Sequence, residues 1–147
     1  MKSEPDSFSI DDLERVGTTS WDGVRNYQAR NMLRDDFRKG DQAFIYHSSA
    51  DELGIAGIMQ VVRTAYPDPT QFDKKSDHYD SGATRDAPRW FVVDVQLKRR
   101  FKRVITLDEL RKYETRELDG MLLLKRGNRL SITPVSDAHW HFILSLE

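Results

Sequence analysis

The segment "RWFVVDVQLK", from Arg89 to Lys98, carries the clearest β-strand pattern in the chain. Its apolar side chains alternate toward one face, at Phe91, Val93, Val95 and Leu97. Earlier in the chain lies "GIAGIMQVVRTAY", from Gly54 to Tyr66, whose two glycines allow a bulge or the close approach of a neighbouring backbone. Two long strands of this kind predict a β-sheet at the centre of the fold.

Shorter elements surround these two strands. We predict further strands at Met1–Ser3, Gln42–Ser48 and Leu130–Thr133. Four helices are predicted to begin after the capping residues Ser9, Asn26, Thr106 and Ser136. The first of them ends at Gly17, and the second runs from Tyr27 to about Arg38.

These elements predict an α+β fold in a single domain, residues 1–147. We expect a mixed or antiparallel sheet that curls toward a barrel, with helices packed around it. Between the two long strands lies a polar segment from Pro67 to Pro88. Loops of more than about 12–15 residues without structure of their own are usually functional or disordered.

The composition excludes several classes of protein. With 147 residues, 38% hydrophobic and 32% charged, the chain has the make-up of a globular domain. The absence of cysteine excludes disulfides, thiolate nucleophiles and cysteine-based zinc sites. A net charge of −1 excludes a globally cationic nucleic-acid binder, although "KRRFKR", Lys98 to Arg103, leaves room for a local basic patch. The chain lacks a signal peptide and a membrane-length apolar run, so we expect it in the cytoplasm, or in the nucleus of a eukaryote. We also expect a monomer.

The segment "SWDGVRNYQARNML", Ser20 to Leu33, combines aromatic rings with planar polar groups. A flat, heteroatom-rich ligand needs an apolar face to stack on, which Trp21 can supply for about 1–3 kcal/mol per base. Asn26 carries both a donor and an acceptor for the edge of such a ligand, and Arg25 can hold a phosphate or stack on a base. The alternative is that Trp21 is an ordinary core residue and Asn26 only a helix cap.

Other polar residues allow two interpretations each. Ser3 faces either the ligand pocket or the opposite side of its strand, since strand side chains alternate. His47 is a ligand contact at the rim of the sheet or a structural histidine. Tyr66 and Asp68 line the pocket, or Asp68 only caps the turn. Arg129 is a phosphate contact or, as we favour, a member of a structural ion pair.

Six blocks in this order resemble the EVE domain, a PUA-like fold related to the YTH and ASCH domains. They are "MKSEPDSFSIDDL", "WDGVRNYQARNML", "GDQAFIYHS", "GIAGIMQVVRTAYPDPTQFD", "PRWFVVDV" and "NRLSITPVSDAHW". The resemblance covers the chain from Met1 to Glu147. Members of the family usually carry a few more residues, often including a tryptophan, before the first block, whereas this chain begins at its methionine.

The resemblance implies a non-catalytic module that reads a modified base, in particular a modified cytosine, in DNA or RNA. The base would enter an aromatic-walled pocket after flipping out of a duplex or directly from a single strand. We predict that the base pocket is formed by Ser3, Trp21, Asn26, Tyr46, His47 and Tyr66. We predict that phosphates are held by Arg25, Arg30 and Arg129. No cofactor is expected. A zinc site is not expected either, because the two imidazoles of "HWH", His139 to His141, point to different faces of a helix.

Two other functions are weighed. A small hydrolase on modified nucleosides, by analogy with ASCH enzymes, would use Lys2 as base and Ser3 as nucleophile, with Glu4 nearby. Strand alternation separates Lys2 from Ser3, which argues against this function. A protein–protein adaptor that binds through the Pro67–Pro88 segment has no specific support in the sequence.

Overall fold

A five-stranded sheet forms the centre of the computed structural model, which describes all 147 residues. Its strands are β1 (Lys2–Ser3), β2 (Thr18–Ser20), β3 (Gln42–His47), β4 (Gly54–Pro67) and β5 (Phe91–Thr106). The α-helices are α1 (Ile10–Val16), α2 (Tyr27–Asn31), α3 (Leu107–Arg111) and α4 (Asp137–Leu146). A π-helical turn, Met32–Asp36, continues α2, and 3-10 turns lie at Pro69–Phe72 and Leu122–Leu124. None of the helices has the length and apolarity needed to cross a membrane.

The sheet is mixed, in the strand order β1-β3-β4-β5-β2. Strands β1 and β3 run parallel, with Lys2 opposite Tyr46, and every other neighbouring pair is antiparallel. The sheet curls without closing, because β1 and β2 remain as its two edges. The predicted α+β fold with a curled mixed sheet is therefore confirmed.

Irregular pairing of β4 with β5 gives the sheet its curvature. The register shifts at four places along this pair, from Ile55 to Tyr66, and each shift bends the strands. The two glycines of β4 let the backbones approach closely. A Cβ at Gly57 would lie 2.5 Å from the carbonyl oxygen of Arg99, and one at Gly54 would collide with that of Ile105. Close backbone approach, predicted for these glycines, is thus confirmed.

Two hydrophobic clusters lie against the sheet. Helices α1 and α2 cover the first, to which β3 contributes Ile45, whereas α3 and α4 cover the second, to which β3 contributes Phe44. The long strand β5 serves both clusters, with Val95 in the first and Ile105 in the second. One strand can reach both clusters because the sheet curls, and burial of these apolar side chains is the main stabilising term.

Three predictions about the strands need correction. Strand β2 was not predicted, because three residues that directly follow a helix give too short a pattern to detect. The predicted strand at Leu130–Thr133 is irregular chain, and its link to β1 is the hydrogen bond from Lys2 N to Ser131 O. Strand β5 continues beyond Lys98 to Thr106.

The continuation of β5 contains the basic run "KRRFKR". Its arginines pair with carboxylates elsewhere in the chain: Arg99 with Glu147, Arg100 with Asp11 and Glu14, and Arg103 with Glu109. The three arginines of the run thus form surface ion pairs on a strand, whereas Lys98 and Lys102 form none.

The segment between β4 and β5 is held by the side chain of Gln71, which is fully buried. Its amide nitrogen donates to the carbonyl oxygens of Asp68 and Trp90, both at 2.8 Å. Its amide oxygen accepts from the backbone N–H groups of Arg89 and Trp90 at 3.0 and 3.1 Å. One side chain thus ties the start of the segment to its end, which fixes the path of the chain between them.

Replacing Gln71 with glutamate tests this tie with almost no change in shape. Gln71→Glu replaces two donors with a carboxylate that faces two carbonyl oxygens in a buried site, so we expect the free energy of unfolding to fall by about 3 kcal/mol. Urea denaturation measures the change. The same substitution at exposed Gln96 is the control and should change stability by less than about 0.5 kcal/mol. Equal stability of the two variants would contradict the role of Gln71.

Candidate nucleic-acid interface

A cleft of about 570 Å³ opens beside Trp21. Its walls come from β1 and the turn that follows, from β2 and the loop after it, and from the segment between β4 and β5. The lining residues are Lys2, Ser3, Glu4, Ser7, Phe8, Thr19, Ser20, Trp21, Asp22, Gly23 and His78. This volume lies in the range of about 300–1,000 Å³ that is typical of small-molecule sites, and most of the lining is polar.

Trp21 belongs both to the core and to the cleft. The residue is 7% exposed and lies in the first hydrophobic cluster, where its ring meets Phe8 edge-on at 6.4 Å between centroids. Its backbone N–H donates to Val93 O at 2.9 Å, just beyond the end of β2. Core packing therefore holds the indole in place at the wall of an open cleft, so the two interpretations of Trp21 do not exclude each other.

Ser3 also lines the cleft, as predicted for one of its two orientations. Its hydroxyl donates to the carbonyl oxygen of Phe8 at 2.5 Å, which fixes the turn between β1 and α1. Lys2 borders the same cleft, and desolvation lowers the pKa of its ammonium group. The remaining hydroxyls, on Ser7, Thr19 and Ser20, are able to donate to a ligand edge or accept from it.

A buried carboxylate positions the loop after Trp21. Asp68 is fully buried, and its Oδ2 accepts from the backbone N–H of Gly23 and from Arg25 Nη1, both at 3.0 Å. Its Oδ1 accepts from the backbone N–H and the hydroxyl of Thr70 at 2.8 and 2.6 Å. Burial alone would raise the pKa of Asp68, but these hydrogen bonds from Thr70, Gly23 and Arg25 hold it below its ordinary value.

Arg25 connects this carboxylate to the other side of the cleft. Besides Asp68 and the hydroxyl of Thr70, its guanidinium donates to Val24 O and to His78 O, the latter at 2.7 Å from Nη2. Its Nε also donates to His78 O, so all of its N–H groups have partners. The predicted phosphate contact at Arg25 is therefore corrected to a structural role.

The ring of His78 is seated against Gly23. A Cβ at Gly23 would lie 2.7 Å from His78 Nε2, and Gly23 has a φ of +78°, which disfavours any residue with a side chain. The positive φ favours glycine here, whereas the imidazole, on an exposed side chain, is able to shift. His78 thus forms part of the cleft although it lies 57 positions away from Trp21 in the chain.

The structure does not bring Asn26 into the cleft. Its Oδ1 accepts from the backbone N–H of Ala29 at 3.0 Å and caps α2. Asn26 is therefore a helix cap, as the alternative interpretation had it, and the prediction that it reads a base edge in the cleft is wrong. Tyr27, the first residue of α2, stacks on Trp90 at 4.8 Å between ring centroids.

Three predicted wall residues also lie outside the cleft. Tyr46 is buried and lines a separate apolar groove of about 250 Å³ near Trp140; burial raises the pKa of its phenol. His47 Nε2 accepts from Ile10 N at 3.1 Å at the start of α1, and desolvation lowers its pKa, which favours the neutral form needed to accept. Tyr66 donates to Asp94 at 2.5 Å, and burial together with this partner raises the pKa of Tyr66 to about 12.

The two other predicted phosphate contacts differ in their surroundings. Arg30 Nη1 donates to Arg89 O at 2.7 Å, and its guanidinium lies 4.8 Å from the ring centroid of Tyr27. Arg129 is exposed and forms no ion pair, so the structural ion pair that we favoured for it is wrong. Contact of Arg30 and Arg129 with phosphate stays a prediction.

Of the eleven residues that line the cleft, only Ser3 and Trp21 were predicted for the base pocket, and Asp22 and His78 are among those that were not. Asp22 directly follows Trp21, and this adjacency was the available signal for it. No local pattern marked His78, since its position depends on the buried contacts of Asp68 and Gln71. No group of three or more His, Asp or Glu side chains is arranged to hold a metal ion.

A curled mixed sheet with helices around it and a cleft at its rim defines a PUA-like α+β protein. Comparison with known proteins gives the family. The model of the EVE domain matches residues 1–146. The chain belongs to the EVE domain family.

Named relatives agree with this assignment. Thymocyte nuclear protein 1 of Homo sapiens is 48% identical over 164 aligned positions, which span the whole chain and 72% of the relative. A crystal structure of a Pseudomonas syringae protein has a TM-score of 0.94 at 49% identity, over 99% of this chain and 96% of that one. The human THYN1 protein, crystallised in complex with DNA that contains 5-methylcytosine, has a TM-score of 0.94 at 48% identity, over 99% and 94% of the two chains.

Removing the charge of Asp68 tests how the cleft is held. Asp68→Asn leaves the guanidinium of Arg25 without its counter-ion, so we expect a loss of about 3 kcal/mol in the free energy of unfolding. The pH dependence should change as well. Because the pKa of Asp68 is depressed in the folded state, its contribution is complete above the unfolded value and is lost as the pH falls through the folded one.

Chemical denaturation between neutral and acidic pH measures both effects. The variant should lose less stability on acidification than the wild type does. Asp86→Asn is the matched control, since Asp86 is exposed in the same segment and has no side-chain partner. If Asp68→Asn and Asp86→Asn are equally stable at neutral pH, the anchoring role of Asp68 is refuted.

Proposed function

We propose that this protein is a non-catalytic nucleic-acid-binding module that accepts a modified cytosine into the cleft beside Trp21. The observation that carries the proposal is an indole, fixed by core packing, at the wall of a polar cleft of about 570 Å³. Such a wall offers the face on which a base stacks, and the surrounding hydroxyls offer partners for its edge.

The comparison with the human protein supports the choice of ligand. That relative was crystallised with DNA containing 5-methylcytosine, and it shares 48% of its residues and nearly the whole fold with this chain. Flipping a base costs a few kcal/mol, which one stack and several edge hydrogen bonds can offset. Binding to RNA, the monomeric state and the cellular compartment stay predictions.

The surroundings of Ser3 favour binding over hydrolysis. A serine nucleophile needs a base that accepts its proton, whereas the Ser3 hydroxyl donates to the carbonyl oxygen of Phe8. A backbone carbonyl cannot act as that base at neutral pH. The hydroxyl of Ser3 therefore serves the turn that shapes the cleft, and no reaction step is assigned to it.

The apolar groove near Trp140 is the weaker candidate for the base. It is smaller, about 250 Å³, and mostly hydrophobic in its lining. A nucleobase carries donors and acceptors around its rim, and burying them without partners costs free energy. The cleft beside Trp21 supplies such partners, which is why it is assigned to the ligand.

Binding of oligonucleotides to two tryptophan variants tests the proposal. Trp21→Leu removes the stacking face and should weaken binding of a strand with one 5-methylcytosine about ten-fold or more, the equivalent of one lost base–aromatic stack. Trp140→Leu is the matched control, because Trp140 is also packed in a hydrophobic cluster, where it stacks on Phe44. Fluorescence anisotropy with labelled strands gives the affinities, and thermal unfolding shows that both variants are folded.

The wild type is expected to prefer 5-methylcytosine to cytosine in the same strand. Trp140→Leu should keep this preference and the wild-type affinity. If Trp21→Leu binds as tightly as Trp140→Leu does, the base does not lie on Trp21 and the proposal fails.

A further inference from the structure

Asp22 lies in the cleft beside Trp21, and the fold does not use its carboxylate. Its carboxylate accepts no hydrogen bond from another residue and takes part in no ion pair, whereas the carboxylate of Asp68 has four donors. Asp22 is exposed and lines the cleft directly beside Trp21. An unpartnered acceptor therefore lies next to the proposed stacking face.

The surroundings of the Asp22 carboxylate disfavour its charged form. Desolvation by the cleft walls raises the pKa of Asp22, and the charge of Asp68 adds to the effect, while His78 and Arg25 oppose it. A donor from a ligand would replace the hydration that the walls remove. The position is thus better satisfied with a hydrogen-bond donor in the cleft than without one.

Trp21 and Asp22 line the same cleft. A ring lying on the indole of Trp21 therefore has its edge in the space that the carboxylate of Asp22 also borders. A carboxylate is an acceptor only, whereas the hydroxyls of Ser7 and Ser20 both donate and accept. Of these groups, only the carboxylate distinguishes a donor from an acceptor on the ligand.

We propose that Asp22 accepts a hydrogen bond from the exocyclic amine of the bound base and thereby selects cytosine derivatives over thymine and uracil derivatives. Cytosine presents an amine donor at the position where thymine and uracil present a carbonyl oxygen. A carboxylate attracts the first and repels the second. This inference rests on the proposed function, because it needs a base stacked on Trp21.

Four strands of identical purine sequence, with one central 5-methylcytosine, cytosine, thymine or uracil, separate the two proposals. Thymine and 5-methylcytosine carry the same methyl group, so the ratio of their affinities reports the hydrogen-bonding edge, which is the group at position 4 together with N3, and not the methyl group. We expect the wild type to bind 5-methylcytosine about ten-fold more tightly than thymine or better. Asp22→Asn has an amide that can accept or donate, so its ratio should fall to within about three-fold of one.

Glu4→Gln is the matched control. Glu4 lines the same cleft and its carboxylate also forms no ion pair, so this variant removes the same charge. Loss of repulsion toward the phosphates should change the affinities for all four strands by one common factor and leave their ratios unaltered. Because Asp22 has no partner in the fold, thermal unfolding of Asp22→Asn should match that of the wild type.

The outcomes distinguish failure of the inference from failure of the proposed function. Equal wild-type binding of 5-methylcytosine and thymine overturns the role of Asp22, and so does an unchanged ratio in Asp22→Asn or a ratio that changes in Glu4→Gln instead. In each of these cases a preference for 5-methylcytosine over cytosine would leave the proposed function standing. Absence of that preference overturns the proposed function, and absence of binding to any strand overturns both.

Discussion

The buried carboxylate of Asp68 is the constraint on which the cleft depends. It joins the loop after Trp21, through Gly23 and Arg25, to the segment between β4 and β5. The same guanidinium holds the carbonyl oxygen of His78 and so determines where the opposite wall lies. A charge buried at this depth is costly unless every lone pair is satisfied, and four donors surround this one. The hydrogen bonds of Asp68 therefore shape the cleft as well as stabilise the fold.

The sheet supplies the rest of the geometry. Its curl allows one long strand, β5, to serve two hydrophobic clusters, and it leaves β1 and β2 as short edges. The cleft lies where residues from both edges meet, with Ser3 on one side and Ser20 on the other. Trp21 is packed in the first cluster, and this packing fixes its indole at the wall of the cleft. A preorganised wall loses little conformational freedom when a ligand binds, which favours affinity.

Local patterns in the sequence predicted much of the fold but only part of the candidate site. The alternation of Val93 and Val95 and the helix cap at Ser9 act over a few residues and are confirmed. Contacts between distant residues escaped prediction, because nothing in their neighbourhood marks them. Arg100 reaches Asp11 across 89 positions, and Arg25 reaches Asp68 across 43. Adjacency to Trp21 was the one sequence signal for Asp22, whereas His78 had none.

The most direct test of the account is a crystal structure of this protein with a short duplex that contains a single 5-methylcytosine. The account predicts that this base has left the helix and lies parallel to the indole of Trp21, in van der Waals contact, with its rim between Asp22 and the serine hydroxyls of the cleft. A base that stays paired within the duplex, or one that lies in the apolar groove near Trp140 instead, would contradict it.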